Sequence, residues 1–288
     1  MRSAHADGAV AGHLVLEPGV PGRRRLADAA LRGAAGLWLL ATLVGQWLFL
    51  YYIVALYGRS TLSGHFEDWR RKATLFKGYI AGDTIGNLTF AAHVLLAVVV
   101  AFGGVLQLIP QIRERAIALH RWNGRVYLVA AAAVSVDGLH MIWVRHASWH
   151  PVNTVSVSIN AVLILVFVAV AWRAARTGDI DRHRRWALRT FMVVNAPGLF
   201  VRVGVAAWSV LAAGAGLSNG ASGPGPAMYF FMFASYLVPL GLLELYLRAR
   251  ASAGTTVRFA VAVLLLAFTV YVSVGTFAAA MSRRAIVG

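Results

Sequence analysis

Long apolar runs with almost no charge dominate the chain, and they have the length that a transmembrane helix requires. Crossing the hydrocarbon core of a bilayer takes about 20 residues of α-helix, and seven runs approach or exceed that length. We therefore predict an all-α polytopic integral membrane protein, a helix bundle with seven transmembrane helices. The predicted spans are residues 34–57, 84–109, 126–144, 152–172, 186–213, 226–247 and 259–281.

The segments that flank these runs complete the predicted domain organisation. Residues 1–33 are rich in Gly, Ala and Arg, which predicts a flexible tail on the cytoplasmic side. A seven-helix domain is predicted for residues 34–284 and a short tail for residues 285–288. Three arginines precede the first run, as in an export signal, but that run is much longer than the 7–15 apolar residues of a signal peptide. We therefore expect a retained first helix.

The charge of the chain is strongly basic, with 27 Lys and Arg against 11 Asp and Glu and a formal net charge of +16. In a soluble protein this balance would suggest nucleic acid, but 59% of the residues are hydrophobic. Basic residues accumulate in the cytoplasmic loops of membrane proteins, and 18 of the 27 fall on the side of the N-terminus. We predict a cytoplasmic N-terminus, the lipid bilayer as partner and no nucleic-acid partner.

Ionisable residues inside the predicted spans or at their ends are functional candidates, because such groups are costly to bury in a bilayer. A rise of 1.5 Å per residue along each helix sorts them into two depths. The outer group consists of His93, Asp137, His140 and Arg202. The inner group consists of His120, His183, Glu244, Arg121, Arg125, Arg184 and Arg185.

Paired histidines from different helices, with one pair near each membrane face, are what bis-histidine haem b ligation requires. We predict that His120 and His183 bind one haem iron and that His93 and His140 bind another, with His150 as a rival to His140. Because the chain has no Cys, covalent attachment of a c-type haem is excluded. The predicted cofactor-binding cations are Arg121, Arg125, Arg184 and Arg202, with Arg185 beside them.

Each candidate also has a purely structural interpretation. His120 and His183 lie at the membrane interface, where basic side chains commonly extend towards water. His93 could be a buried histidine bonded to Asp137 or to a backbone carbonyl, and Asp137 could instead form a buried ion pair with Arg202.

Two functions lead from the residues alone, and a structural or sensory membrane partner is a third. The first is a haem b protein in transmembrane electron transfer or in quinone or metal reduction, with a quinone or another redox partner. The second is a transporter or small-molecule-binding protein, in which Asp137, Arg202 and Asn160 form an intramembrane polar site with His93. The sequence contains no Walker, dinucleotide-binding or His-Glu-x-x-His motif, so whether the chain is an enzyme stays open, and no catalytic residue is assigned.

Three segments follow one another between residues 84 and 205. They are His93 within a span, the sequence H-R-W-N-G-R-V-Y at residues 120–127, and H-R-R-W at residues 183–186. In this order they resemble a family of bacterial polytopic membrane proteins of unknown function, which implies a multi-pass protein of the bacterial inner membrane. The layout is also similar to transmembrane dihaem cytochromes b of the ferric-reductase type. That similarity implies the pairs His120 with His183 and His93 with His150.

Overall fold

Helices form nearly all of the regular structure in the computed structural model, which describes residues 21–69, 77–148, 150–214 and 226–287. A π-helical turn, Val54–Gly58, follows the first helix. The long helices are α1 (Pro21–Ile53), α3 (Thr84–Leu108), α5 (Ile117–Trp143), α6 (Pro151–Arg176), α7 (Ile180–Gly214), α8 (Pro226–Ala251) and α9 (Thr255–Val287), and two short ones are α2 (Arg59–Leu62) and α4 (Pro110–Arg115).

The long helices are membrane spans by length and composition. Six of them, all but α7, are each apolar and long enough to cross a bilayer, and α7 is a seventh span if its two halves cross as one. The halves, Ile180–Asn195 and Pro197–Ala212, meet at an angle of 57°. Pro197 lacks an amide hydrogen and cannot complete the helical hydrogen bond to the preceding turn, which accounts for the bend. The prediction of an all-α polytopic membrane protein is confirmed.

Large apolar side chains cover the outward faces of these helices. Leu95 on α3 is 66% exposed, Val129 on α5 is 59% exposed and Val270 on α9 is 63% exposed. Such a surface is unfavourable in water and matches the hydrocarbon of a bilayer. The chain is therefore a multi-pass membrane protein.

Several helices extend beyond the apolar runs that predicted them. Helix α1 begins at Pro21, so residues 21–33 of the predicted tail are helical, and α9 continues through Val287. Helix α5 begins at Ile117, nine residues before the predicted span. Hydropathy reports the part of a helix that lies in hydrocarbon, whereas its backbone hydrogen bonds continue into the interface. Residues 1–20 of the predicted tail lie outside the described residues.

Helix α7 is the most widely connected helix of the bundle. It packs extensively on α6, α8 and α9 and touches α1 and α3 at fewer points, while α3 packs chiefly on α5 and α1 chiefly on α9. One buried cluster joins α3, α5, α6 and α7 through side chains that include Val100, Tyr127, Ile164 and Val193. These four helices form the group that carries the intramembrane histidines.

Gly275 marks a close approach of α9 to α7. A Cβ atom added there would overlap the backbone carbonyl of Val203 and the Val203 side chain. The backbone cannot yield as the end of a flexible side chain could, so this crossing requires glycine.

We expect Gly275→Ala to destabilise the bundle by about 1–3 kcal/mol, because overpacking forces the two backbones apart. Thermal unfolding of the purified protein in detergent measures this as a lower melting temperature. Gly241→Ala on α8 is the matched control, since nothing lies within 4 Å of a Cβ at that position. Equal melting temperatures for the two variants would contradict the close approach.

Candidate functional site

The candidate histidines lie at the two ends of the group formed by α3, α5, α6 and α7. We call the end at which α5 and α7 begin and α6 ends the arginine-rich end, and the other the opposite end. His120 and His183 lie at the arginine-rich end, whereas His93 and His140 lie towards the opposite end. Among the described residues, no three or more His, Asp or Glu side chains come together as a metal-binding group.

His183 is held in one orientation by α6. Its Nδ1 lies 2.9 Å from the carbonyl oxygen of Ala171, and because a carbonyl only accepts, Nδ1 must carry the proton. The Nε2 lone pair of a neutral His183 is then available to a metal ion. A histidine ligand characteristically donates its other N–H to a carbonyl or a carboxylate in this way.

His120 lies on α5, at the same end of the bundle as His183. His183 and Arg113 are both within electrostatic range of its ring. The Nδ1 atom of His120 is buried and has no hydrogen-bond partner among the described residues, while its backbone carbonyl accepts a bond of 3.0 Å from Gln107 Nε2. A buried polar atom without a partner carries a free-energy cost and calls for an explanation such as a missing ligand.

The predicted cations at this end are exposed around the two rings. Arg121, Arg125, Arg184 and Arg185 all have exposed side chains, and the Arg125 guanidinium lies 5.3 Å from the centre of the Trp122 ring. They form a positive rim at the membrane surface that could bind carboxylates such as haem propionates.

His93 pairs with Asp137 at the opposite end. Its Nδ1 lies 2.9 Å from Asp137 Oδ2, and the two side chains are 28% and 16% exposed. The carboxylate of Asp137 thus holds the ring as the carbonyl of Ala171 holds His183. The interpretation of His93 as a histidine bonded to Asp137 therefore has direct geometric support.

His140 follows Asp137 by three residues on α5, so the two side chains share one face of that helix. The Nδ1 atom of His140 is buried and has no hydrogen-bond partner among the described residues, which repeats the situation of His120. Its ring also lies within electrostatic range of Asp83.

His150, the rival of His140, has both ring nitrogens engaged. Its Nδ1 accepts the backbone N–H of Val152 at 3.2 Å, which caps the start of α6. Its Nε2 lies 3.0 Å from Tyr229 Oη, and the two rings stack with centroids 4.6 Å apart. In this arrangement His150 has no lone pair left for a metal ion.

Arg202 of α7 and Asn160 of α6 are the remaining residues of the predicted intramembrane polar site. Arg202 Nη1 donates to the carbonyl oxygen of Gly198 at 2.7 Å, and its guanidinium lies 5.0 Å from the centre of the Phe49 ring. Arg202 thus faces α1, whereas Asp137 faces His93. Asn160 Oδ1 on α6 is buried without a hydrogen-bond partner among the described residues.

A buried polar network that the sequence did not indicate joins three helices at the bend of α7. Asn195 Nδ2 donates to Tyr127 Oη at 2.9 Å, and Gln46 Nε2 donates to Asn195 Oδ1 at 3.1 Å. Asn123, one turn before Tyr127, donates to the carbonyl oxygen of Gly103 at 2.8 Å. The spacing of Asn and Tyr in the H-R-W-N-G-R-V-Y segment therefore serves the contact of α5 with α3 and α7.

Ion pairs between helices were also missed from the sequence. Arg189 on α7 binds Glu244 on α8 through two bonds of 2.6 and 2.9 Å, and Arg258 on α9 binds Asp28 on α1. Glu244 is the one acidic residue in its apolar run. An isolated charge in such a run needs a partner on another helix, so the position of Glu244 was the signal in the sequence that an ion pair forms here.

Arg145 links the two loops at the opposite end. Its side chain is only 4% exposed. The guanidinium donates to Asp83 Oδ2 at 2.8 Å and to Asn87 Oδ1 at 2.8 Å. It also donates to the carbonyl oxygens of Lys77 and Gly78, at 2.9 and 2.7 Å. It is the one basic residue of its loop. We call these residues the Arg145 cluster.

Comparison with known proteins gives a match to a family model. Residues 90–215 match the model of a family described as "Predicted membrane protein (DUF2306)". This stretch covers most of α3 and all of α5, α6 and α7, and thus His93, His120 and His183. For these residues the resemblance to an uncharacterised polytopic membrane family is confirmed. No curated protein and no solved structure matches the chain.

The Arg145 cluster predicts an acid-sensitive contribution to stability. The hydrogen bond from Arg145, assisted by the backbone N–H of Gly86, holds the pKa of the Asp83 carboxyl below its usual range. The unfolded-state pKa is about 3.9. A lowered folded-state pKa contributes stability that is present above that value and is lost as the pH falls through the folded-state pKa.

We expect Asp83→Asn to lower the melting temperature at neutral pH and to remove part of the stability loss below about pH 4. Thermal unfolding in detergent between neutral and acid pH measures both effects. Glu67→Gln, which changes an exposed acidic residue of the same loop, is the control. An unchanged pH profile in Asp83→Asn would show that the cluster does not stabilise the bundle.

Proposed function

We propose that the protein is a membrane-embedded haem b protein that carries electrons across the bilayer, with a quinone or another redox partner as donor or acceptor. The observation that carries this proposal is the repetition of one arrangement at two depths. At each end, one imidazole has its Nδ1 held by an acceptor, and a second has a buried Nδ1 without a partner among the described residues.

The donor set fits haem b in its chemistry. Neutral imidazoles bind haem iron axially, and the bonds to Ala171 and Asp137 fix the rings of His183 and His93 with Nε2 available. His120 and His140 would supply the second imidazole at each end. When bound, haem supplies one-electron chemistry at its iron.

The remaining residues would hold the group and keep water away from it. The exposed arginines at the arginine-rich end, Arg121, Arg125, Arg184 and Arg185, suit propionates at a membrane surface. The buried cluster that includes Val100, Tyr127 and Val193 provides an apolar surrounding between the ends. The engaged nitrogens of His150 favour His140 as the partner of His93.

An absorption spectrum of the protein, purified in detergent after expression with a haem precursor, tests this proposal. We expect a Soret band, a reduced α-band on addition of dithionite and a positive pyridine haemochrome assay. A colourless protein under these conditions would overturn the proposal.

Substitution then assigns the ligands. His120→Ala and His183→Ala should each lower the haem-to-protein ratio by about half, because each removes an axial ligand at one end only. His65→Ala, an exposed loop residue, is the matched control and should leave the ratio unchanged. Spectra unchanged in both ligand variants would remove the site at the arginine-rich end.

A second candidate function has its own observation in the bend of α7. Discontinuous helices form substrate sites in many transporters, and the bend lies next to Asn195 and Gln46. The Oε1 atom of Gln46 is buried without a partner among the described residues.

A proton-coupled transporter would be colourless, and its proteoliposomes would dissipate an imposed pH gradient. That flux would fall in Asp137→Asn, since His93 and Asp137 are the half-buried titratable pair.

A further inference from the structure

A shallow, open cleft runs along α6 on the outer surface of the bundle at the arginine-rich end, with Ala132 of α5 on its other side. Its volume is about 600 Å³. Its walls are apolar where they run towards the middle of the helices, and they are formed there by Ala132 of α5 and by Leu165 and Ala169 of α6. Because it faces outward from a membrane-spanning bundle, the surrounding medium is lipid.

The length of the cleft corresponds to one leaflet of a bilayer. Its lining runs along α6 from Leu165 to Thr177, which at 1.5 Å per residue is about 18 Å. The hydrocarbon core of a bilayer is about 30 Å thick, so a leaflet contributes about 15 Å. An extended acyl chain therefore fits along the apolar walls.

The mouth of the cleft is positively charged. Arg173 and Arg176 both line it and are both exposed, and their spacing of three residues places them on one face of α6. The described lining contains no acidic residue. Trp172 also lines the cleft, and its ring is of the kind that lies at the level of lipid headgroups. This charge complements a phosphodiester.

We propose that this cleft binds an anionic phospholipid of the bilayer. Its phosphate lies on Arg173 and Arg176, and one acyl chain lies between α5 and α6. The site is independent of the proposed haem function, since it uses none of the histidines. It adjoins Ala171, whose carbonyl orients His183, so a bound lipid would also restrain the turn of α6 that holds that ring.

Quenching of tryptophan fluorescence by brominated acyl chains tests this site in the delipidated, detergent-solubilised full chain. Brominated phosphatidylglycerol should quench at a lower mole fraction than brominated phosphatidylcholine. The part of the quenching that saturates at the lowest mole fraction of lipid should disappear in Trp172→Phe. This variant lacks the Trp172 ring and keeps the other eight tryptophans of the chain. Equal quenching by the two lipids would overturn the proposal.

Two further variants separate the contribution of charge from that of the apolar walls. Arg173→Gln with Arg176→Gln should raise the phosphatidylglycerol concentration for half-quenching by up to about 30-fold, since each basic residue near the surface contributes about fivefold. Arg248→Gln with Arg250→Gln, two exposed arginines at the end of α8, is the matched control and should have a much smaller effect.

Ala169→Phe fills the apolar part of the cleft, leaves both arginines in place and adds no tryptophan to the fluorescence signal. It should weaken the saturable binding even though the charge of the protein is unchanged, and its size-exclusion profile verifies that it is folded. Wild-type binding in both the double arginine variant and Ala169→Phe would overturn the proposal.

Discussion

Hydrocarbon offers no hydrogen-bond partners, so every polar side chain that enters the bundle has to find its partner on another part of the protein. Most of the polar contacts between helices follow from this constraint. Asn195 joins Tyr127 of α5 to Gln46 of α1, and Arg189 joins α7 to Glu244 of α8. Apolar packing alone would hold these helices together weakly and in many orientations, because lipid is as apolar as the helix faces. The polar contacts therefore select the orientation in which the helices pack.

The apolar runs predicted the spans well, because the bilayer imposes one length on every helix that crosses it. The ends of the helices were less predictable. Helix α5 begins at Ile117 and contains His120 in its first turn, whereas hydropathy placed that residue before the span. Polar residues can remain helical in the interface, and a hydropathy pattern carries no information about them.

The partners of the polar residues were only partly predictable. Counting residues along each helix placed His93 and Asp137 at the same end of the bundle, as the structure does. Their contact was one of the alternatives that the sequence left open. The sequence could not decide between that contact and a pair of Asp137 with Arg202, because the choice depends on how each helix is rotated about its axis. The Arg145 cluster was beyond prediction, since it joins backbone carbonyls to a side chain 67 and 68 residues away.

The two ends of the histidine-bearing group differ in the charge of the atom that holds the ring. At the opposite end the acceptor for His93 is a carboxylate, whereas at the arginine-rich end the acceptor for His183 is a neutral carbonyl among many cations. A negatively charged acceptor makes an imidazole more basic as a ligand than a neutral one does. As ligands, His93 and His183 therefore differ in basicity, with His93 the more basic of the two.

The pairing of α1 with α9 has a consequence for how the bundle is assembled during synthesis. Asp28 and Arg258 are bound to each other across 230 positions of sequence, and α1 packs chiefly on α9. The first described helix to leave the ribosome therefore remains without its main neighbour until the last one has been inserted. During that interval the face of α1 that α9 will cover is in contact with lipid or with an insertion factor. Closure of the bundle is thus a late event, and it depends on the helix that is translated last among those described.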